Sequence, residues 1–190
     1  MTNSTMIVGV GGQGTLLASR ILGNVAIRGG FDVKVSEVHG MSQRGGSVVT
    51  YVRYGDKVAS PIIGINAADT ILAFEELEAY RNIEYLKDGG TLIVNTQNIS
   101  PMPVVIGAAE YPENIVEKIK AKGINIVAID ALSLAKEAGN SKAVNVVLIG
   151  VMAKTSEVSY DTWIEVLKET VPPKFLELNI KAFDLGYNCK

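Results

Sequence analysis

A glycine-rich segment near the amino terminus has the residue types and spacing of an anion-binding loop. Gly9, Gly11 and Gly14 fit the pattern G-x-G-x-x-G, directly after the apolar run Met6–Val10 and directly before a helix-forming stretch. Glycines let a backbone turn sharply and approach a ligand closely, and a helix start offers unsatisfied N–H groups with partial positive charge. This context predicts a phosphate- or other anion-binding loop. The predicted loop comprises Gly9, Gly11, Gly12, Gln13 and Gly14.

A second segment, Glu37–Ser47, concentrates further polar groups among glycines. A loop that only connects two elements rarely carries so much functional chemistry. Arg44, followed by Gly45 and Gly46, would present a guanidinium group to a phosphate with open backbone around it. His39, the only histidine in the chain, is a candidate acid or base, and a hydrogen-bonded loop histidine is the alternative. Gln43 is a weaker candidate for the same site.

The position of Glu37 in the sequence bears on whether the glycine loop belongs to a dinucleotide-binding site. Such sites place an acid at the end of the second strand, where it holds a ribose hydroxyl about 20 residues beyond the glycines. Glu37 ends the predicted second strand 23 residues after Gly14, so the spacing allows this role. The alternative is a loop carboxylate that pairs with Arg44 or with a backbone donor.

Two amides extend the list of candidates. Gln13 stands where the first helix begins and could donate to a phosphate or to the carbonyl of a partner, although an ordinary position in the first turn is the alternative. Asn145 lies in the apolar run 143–154. A buried amide without a partner costs about 1–3 kcal/mol, so Asn145 must make an internal capping bond or contact a ligand or partner.

Alternating strand and helix patterns predict an α/β fold with a doubly wound, mostly parallel, Rossmann-like sheet and helices on both faces. A β-hairpin of Ser47–Tyr54 and Val58–Ile63, joined by a turn at Gly55, should interrupt the parallel order. The other predicted strands are Met6–Val10, Val33–Val38, Thr70–Ala73, Thr91–Asn95 and Ile124–Ile129. The predicted helices are 13–28, 75–86, 113–121, 131–137, 143–154, 160–170 and 173–185. The loops bearing the polar candidates should meet beyond the carboxyl ends of the strands.

Composition restricts the function classes. We expect one domain over residues 1–190, and the net charge of −2 gives no basic field for nucleic acid. No apolar run approaches the roughly 18 residues of a membrane span, and Met1–Thr5 lacks the charge of a secretory signal, so we expect a cytoplasmic protein. A single cysteine, Cys189, excludes a cysteine-held iron–sulfur cluster, and we predict no metal site. The low charged fraction of 20% favours a surface covered by a partner, or by a second copy when the chain is isolated.

Three motifs in order resemble a known family. They are Gly9–Gly14, then the stretch Ser36–Val48, and then Gly90–Asn95, and together with the chain length they are similar to the gamma-type subunit of 2-oxoacid:ferredoxin oxidoreductases. The second motif, SEVHGMSQRGGSV, is most similar to the beta subunit of the indolepyruvate-oxidising branch. The resemblance covers essentially the whole chain.

The resemblance implies a heteromeric enzyme that oxidatively decarboxylates aryl pyruvates to aryl-acetyl-CoA and passes the electrons to ferredoxin. Thiamine diphosphate and the iron–sulfur clusters would then lie on the large alpha subunit, so the isolated chain would bind no cofactor and be inactive. In related pyruvate enzymes the stretch equivalent to Ser42–Gly46 carries basic residues near the phosphates of CoA, whereas here only Arg44 is basic. The alternatives are a free-standing NAD(P)-binding Rossmann dehydrogenase and a non-enzymatic nucleotide-binding regulator.

Overall fold

A six-stranded mixed sheet forms the centre of the computed structural model, which describes residues 2–37 and 46–189. The strands are β1 (Thr2–Val10), β2 (Asp32–Glu37), β3 (Ser47–Gly55), β4 (Ala68–Ala73), β5 (Leu86–Asn95) and β6 (Asn125–Ile129). Their order across the sheet is β2-β3-β1-β4-β5-β6. The β1–β4, β4–β5 and β5–β6 pairs are parallel, and β3 is antiparallel to both β1 and β2.

The helices are α1 (Thr15–Arg28), α2 (Glu76–Arg81), α3 (Met102–Val105), α4 (Ile115–Lys120), α5 (Ala131–Ala138), α6 (Val144–Lys154), α7 (Tyr160–Thr170) and α8 (Leu176–Asn188). Short 3-10 turns occur at Ile83–Tyr85, Ser141–Ala143 and Pro173–Phe175. Local sequence explains several boundaries. The side chains of Asp130 and Ser159 accept the N–H groups of Ser133 and Thr162 in the first turns of α5 and α7, and Gly139 ends α5 with a left-handed conformation.

Helices cover both faces of the sheet, which confirms the doubly wound α/β prediction. Buried side chains of α1, α5, α6, α7 and α8 pack on one face, and those of α2 and α4 pack on the other. From Val144 to Ala153 every residue of α6 is buried, as its nearly continuous apolar sequence predicts.

The contact between α6 and α8 depends on two glycines. A Cβ on Gly186 would lie 2.0 Å from the carbonyl oxygen of Val147, and a Cβ on Gly150 would lie 2.2 Å from that of Phe183. The two helix backbones therefore touch directly, and neither position has room for a side chain.

The predicted return arm Val58–Ile63 is wrong, because this stretch forms no strand. Both edges of β3 are already paired, one with β1 and one with β2, so no edge is free for a returning arm. The guanidinium of Arg53 instead donates to the carbonyl oxygens of Ser60 and Ile62, at 3.0 and 3.1 Å. The antiparallel partners of β3 are β1 and β2 instead of the predicted arm.

Two further boundaries differ from prediction. The helix expected over 75–86 ends at Arg81, and the strand expected at Thr91–Asn95 begins at Leu86, so that Gly89 and Gly90 lie inside β5. Gly89 takes a positive φ of 73° there, and the register between β4 and β5 shifts between Ala68 and Thr70. The glycine pair thus serves an irregularity inside a strand, which a local pattern does not distinguish from a turn.

Candidate functional site

The glycine loop joins the carboxyl end of β1 to α1. Gly12 and Gly14 have φ values of 101° and 86°, which L side chains rarely adopt, so both positions require glycine. The backbone N–H of Gly11 donates to the carbonyl oxygen of Gly46 at 2.8 Å. The loop is therefore tied to the end of the second polar segment, as expected from the meeting of loops at this edge of the sheet.

Gln13 fills the crevice between β1 and β4. Its Oε1 accepts the backbone N–H of Val10 at 2.8 Å, and its Nε2 donates to the carbonyl oxygen of Phe74 at 3.0 Å. A Cβ on Gly9 would lie 2.9 Å from Gln13 Oε1, so Gly9 makes room for this amide. In doubly wound sheets this crevice is the usual place for a ligand. Here a side chain of the protein occupies it.

A second amide completes the arrangement around Phe74. Asn95, fully buried at the end of β5, donates from Nδ2 to the Phe74 carbonyl oxygen at 3.1 Å, and its Oδ1 accepts the N–H of Ala131 at 3.0 Å. The carboxyl ends of β1, β4 and β5 are thereby joined by two side-chain amides that converge on one carbonyl group.

Asn145 supports the glycine loop from α6. Its Nδ2 donates to the Gly14 carbonyl oxygen at 3.2 Å, and its Oδ1 accepts the N–H of Val146 at 2.9 Å. A Cβ on Gly14 would lie 2.5 Å from Asn145 Nδ2. The buried amide is therefore satisfied within the chain, and its close approach is a second reason for glycine at position 14.

Glu37 lies at the end of β2, where its Oε1 accepts the hydroxyl of Ser19 at 2.8 Å. Because β3 lies between β1 and β2, and neighbouring strands are about 4.8 Å apart, this acid is two strand spacings from the glycine loop's strand. A dinucleotide site needs the acid on the strand next to β1. The position of Glu37 does not fit that role.

The second motif, Ser36–Val48, is described only at its two ends, residues 36–37 and 46–48. His39, Gln43, Arg44 and Gly45 lie outside the described residues, so their predicted roles remain predictions. Gly46 accepts the bond from Gly11, and the hydroxyl of Ser47 donates to Glu78 Oε2 at 2.5 Å.

Two buried carboxylates that follow β4, Glu75 and Glu78, were not among the residues predicted from the sequence. Glu75 is fully buried, and it accepts the N–H groups of Glu78 and Ile99 at 2.9 and 3.1 Å and the hydroxyl of Tyr111. Burial and the hydrogen bond to Glu75 raise the pKa of Tyr111. Glu75 thus holds both ends of the segment Ile99–Tyr111 against the end of the sheet.

Glu78 forms the second of these carboxylate sites. It is 2% exposed, and besides Ser47 it accepts Arg81 Nη1 at 2.6 Å. Burial and the neighbouring Glu75 and Glu117 raise the pKa of Glu76, which lies between the two sites. A signal was present in the sequence, because Phe74-Glu75-Glu76-Leu77-Glu78 places three acids directly after a buried strand.

Within residues 2–37 and 46–189, no group of three or more histidine, cysteine or acidic side chains is placed to hold a metal ion. None of the helices in that part of the chain is long and apolar enough to cross a membrane.

Comparison with known proteins agrees with the geometry. The family model "Pyruvate ferredoxin/flavodoxin oxidoreductase" matches residues 4–189. The chain is 47% identical over 186 residues to an indolepyruvate oxidoreductase subunit of Pyrococcus horikoshii, covering 95% of this chain and 92% of that protein. It is 30% identical over 183 residues to the common gamma subunit of the pyruvate/ketoisovalerate oxidoreductases of Thermococcus kodakarensis, covering 95% and 92%.

A solved structure shows the same fold. The gamma subunit of a keto/oxoacid ferredoxin oxidoreductase from Geobacter sulfurreducens superposes with a TM-score of 0.72 at 26% identity, covering 97% of this chain and 96% of that one. The resemblance inferred from the three motifs is confirmed. The chain belongs to the pyruvate ferredoxin/flavodoxin oxidoreductase family, among its small, gamma-type subunits.

Proposed function

We propose that this chain is the small subunit of an indolepyruvate, or closely related aryl 2-oxoacid, ferredoxin oxidoreductase that works in the cytoplasm as one domain of residues 1–190. The observation that carries the proposal is the 47% identity to an indolepyruvate oxidoreductase subunit over nearly the whole of both chains. The reaction converts a 2-oxoacid, CoA and oxidised ferredoxin into an acyl-CoA, carbon dioxide and reduced ferredoxin.

The chemistry of such a reaction requires a partner. One cysteine, Cys189, cannot supply the thiolates that an iron–sulfur cluster needs, so electrons must leave through clusters on another chain. We assign thiamine diphosphate and these clusters to a large alpha subunit. Bound there, thiamine diphosphate supplies the carbanion chemistry of decarboxylation. This chain then supplies shape and hydrogen-bond donors to a reaction centre completed by the partner.

Preorganisation of the glycine loop supports that role. Gln13 and Asn145 hold the two ends of the loop, the first through Val10 and Phe74 and the second through the Gly14 carbonyl. Donors fixed in this way need no reorganisation when a ligand or a partner group arrives. Glu75 and Glu78 fix the neighbouring segments at the same edge of the sheet.

Two observations argue against a free-standing NAD(P)-dependent dehydrogenase. The side chain of Gln13 fills the crevice that a dinucleotide would cross, and Glu37 lies on the far side of β3. No contact of the described residues favours a non-enzymatic nucleotide-binding regulator over the enzyme subunit.

Co-expression tests the proposal. The chain should co-purify with a large subunit that carries thiamine diphosphate and iron–sulfur clusters. The complex should reduce ferredoxin only when indolepyruvate and CoA are both present, and the chain purified alone should be colourless and inert. Turnover by the isolated chain, or an active large subunit that gains nothing from this chain, would overturn the proposal. Pyruvate, 2-oxoisovalerate and 2-oxoglutarate, assayed in parallel, test the aryl preference.

A further inference from the structure

An apolar segment of nine residues, 101–109, follows β5 and lies on the surface of the protein. Its sequence, PMPVVIGAA, contains no polar side chain. Met102, Val105 and Ile106 are 68%, 66% and 69% exposed, and no side chain of the segment is buried in either apolar core of the described structure. Single apolar residues are common on protein surfaces, whereas a contiguous group of this kind marks an interaction site.

The three exposed side chains lie on one face of α3. Their spacing of i, i+3 and i+4 brings side chains together on a helix. The N–H of Ile106 donates to the carbonyl oxygen of Met102 at 3.0 Å, and the N–H of Ala108 donates to that of Pro103 at 2.8 Å. The apolar segment is therefore a closed, hydrogen-bonded turn with its apolar side chains directed outward.

A buried carboxylate fixes the base of this turn. Glu75 accepts the N–H of Ile99 at 3.1 Å before the segment and the hydroxyl of Tyr111 after it. Pro101 and Pro103 restrict the backbone further. The apolar face is thus held in one conformation, so that little conformational entropy is lost when a partner covers it.

The surroundings of the apolar segment are acidic. Between residues 95 and 117 the sequence has three glutamates, all of them exposed, and no lysine or arginine. Glu76 adds a fourth acid, because its N–H donates to the carbonyl oxygen of Gln97 at 3.3 Å. The first basic residue beyond the segment, Lys118, lies on α4. The rim of the apolar face therefore carries negative charge.

This charge selects the kind of occupant. Two copies of the chain that met through their apolar segments about a twofold axis would bring the glutamates of one against those of the other, which is unfavourable. An anionic membrane surface would be repelled in the same way. A different protein, with an apolar pocket rimmed by lysine or arginine, would gain from both the apolar burial and the opposite charges.

The position of the segment in the fold indicates which protein this is. β5 ends at Asn95, whose side chain shares the Phe74 carbonyl oxygen with that of Gln13. The apolar segment therefore starts from the edge of the sheet that carries the glycine loop. Under the proposed function the large subunit must approach this edge to complete the reaction centre, so that it can cover the segment as well.

We propose that residues 101–109 form a docking element, which inserts the face of Met102, Val105 and Ile106 into an apolar pocket of the large subunit with basic side chains around its rim. The identity of this partner rests on the proposed function. Nine residues supply only part of the roughly 800 Å² that each partner buries in a standard interface. The docking element is thus the hot spot of a larger contact.

A double variant, Met102→Gln with Ile106→Gln, tests the docking element through the Kd for the purified large subunit. We expect this Kd to rise about thirtyfold, the effect of losing a hot-spot contact. The melting temperature of the isolated chain should not change, because both side chains are already exposed. The matched control is Ile27→Gln with Ile65→Gln, at side chains 60% and 62% exposed near the end of α1 and before β4. Equal Kd values for the two double variants would overturn the proposal.

Glu110→Lys tests the charge of the rim. It should raise the Kd for the large subunit severalfold at low ionic strength and weaken the dependence of that Kd on salt. Glu157→Lys, an equal change of net charge at an exposed position between α6 and α7, should have neither effect. A Kd that Glu110→Lys leaves unchanged would overturn the basic rim of the pocket.

Hydrogen exchange of the assembled complex separates this inference from the proposed function. The amides of 101–109 should exchange more slowly in the complex than in the free chain. A complex that forms and turns over while these amides exchange as before removes the docking element and leaves the subunit role intact. If the unaltered chain binds no large subunit, the proposed function fails and the docking element fails with it.

Two further measurements examine the other occupants. Sedimentation of the chain alone detects a dimer, and flotation with phosphatidylglycerol vesicles detects membrane binding. We expect neither. A dimer or a vesicle complex that the Met102→Gln, Ile106→Gln double variant abolishes would show that the apolar face serves a second copy or a membrane, and would overturn the proposal.

Discussion

Gln13 and Phe74 are 61 positions apart in the sequence, yet the Gln13 side chain donates to the Phe74 carbonyl oxygen at 3.0 Å. The same side chain accepts the N–H of Val10 at 2.8 Å. One amide thus closes the crevice between the two central parallel strands. A polar residue where a helix begins, in a glycine-rich turn, here acts as a cross-link within the sheet.

Gln13→Met should lower the free energy of unfolding by about 1–3 kcal/mol, because it leaves the Val10 N–H without its acceptor and removes one donor from Phe74. Urea denaturation measures the change. Gln97→Met is the matched control, since among the described residues the Gln97 side chain makes a single hydrogen bond, in which its Oε1 accepts Asn95 Nδ2 at 3.3 Å. Equal losses in the two variants would contradict a special role for Gln13.

Gly186→Ala should destabilise the chain by about 3 kcal/mol, because its Cβ would lie 2.0 Å from the backbone oxygen of Val147 and the helices α6 and α8 would have to separate. Gly150→Ala should behave similarly. Gly64→Ala is the control: nothing lies within 4 Å of the added Cβ, so its stability should stay within about 0.5 kcal/mol. Thermal melts of the three variants decide the matter, and a tolerated Gly186→Ala would refute direct contact between the two backbones.

Tyr160 should ionise abnormally late. Its hydroxyl donates to Asp184 Oδ1 at 2.6 Å, and this hydrogen bond, with burial and the charge of Asp184, raises the pKa of Tyr160 to about 12. Since the pKa is raised on folding, the associated stability is fully present below pH 10 and is lost as the pH rises toward 12. Tyrosinate absorbance, compared with Tyr160→Phe, measures the titration. In Asp184→Asn the pKa should fall toward its ordinary value.

Tyr111→Phe should cost about 1.5–3 kcal/mol of unfolding free energy, because the hydroxyl bonds a fully buried carboxylate. Glu75 would retain only the N–H groups of Ile99 and Glu78. Hydrogen exchange should also quicken along 99–111, since Glu75 holds both ends of that segment. Tyr80→Phe, at a half-exposed side chain on α2, is the comparison and should change neither measurement. An unchanged exchange rate in Tyr111→Phe would contradict the anchoring role.

Local patterns predicted most elements because they reflect local physics. The apolar run before Gly9 and the glycines before Thr15 identify β1 and α1, and Ser159 marks the start of α7 where the structure has it. Which strands pair is not a local property. The alternation in Ser47–Tyr54 correctly predicted a strand, but its neighbours are β1 and β2, brought there by packing of α1 rather than by a turn.

The candidate site was predictable to the same extent. The glycine loop could be located from residue spacing, and Asn145 from the need of a buried amide for a partner. Glu75 and Glu78 resemble an ordinary acidic start of a helix until Ser47, Ile99 and Tyr111 are brought against them by the fold.

The central position of β1 determines when the sheet can form during synthesis. Its neighbours are β3 and β4, so β1 has no partner until β3 has been made as far as Gly55, and it gains its second neighbour only when Ala73 has been made. Until both neighbours are present, the apolar side chains of β1, such as Met6, Ile7 and Val8, remain exposed on the nascent chain. Pairing of strands that are far apart in the sequence is slow, and meanwhile the exposed apolar surface can associate with other molecules. Translation speed through the first 73 residues, and chaperone access to them, thus bear directly on the yield of folded subunit.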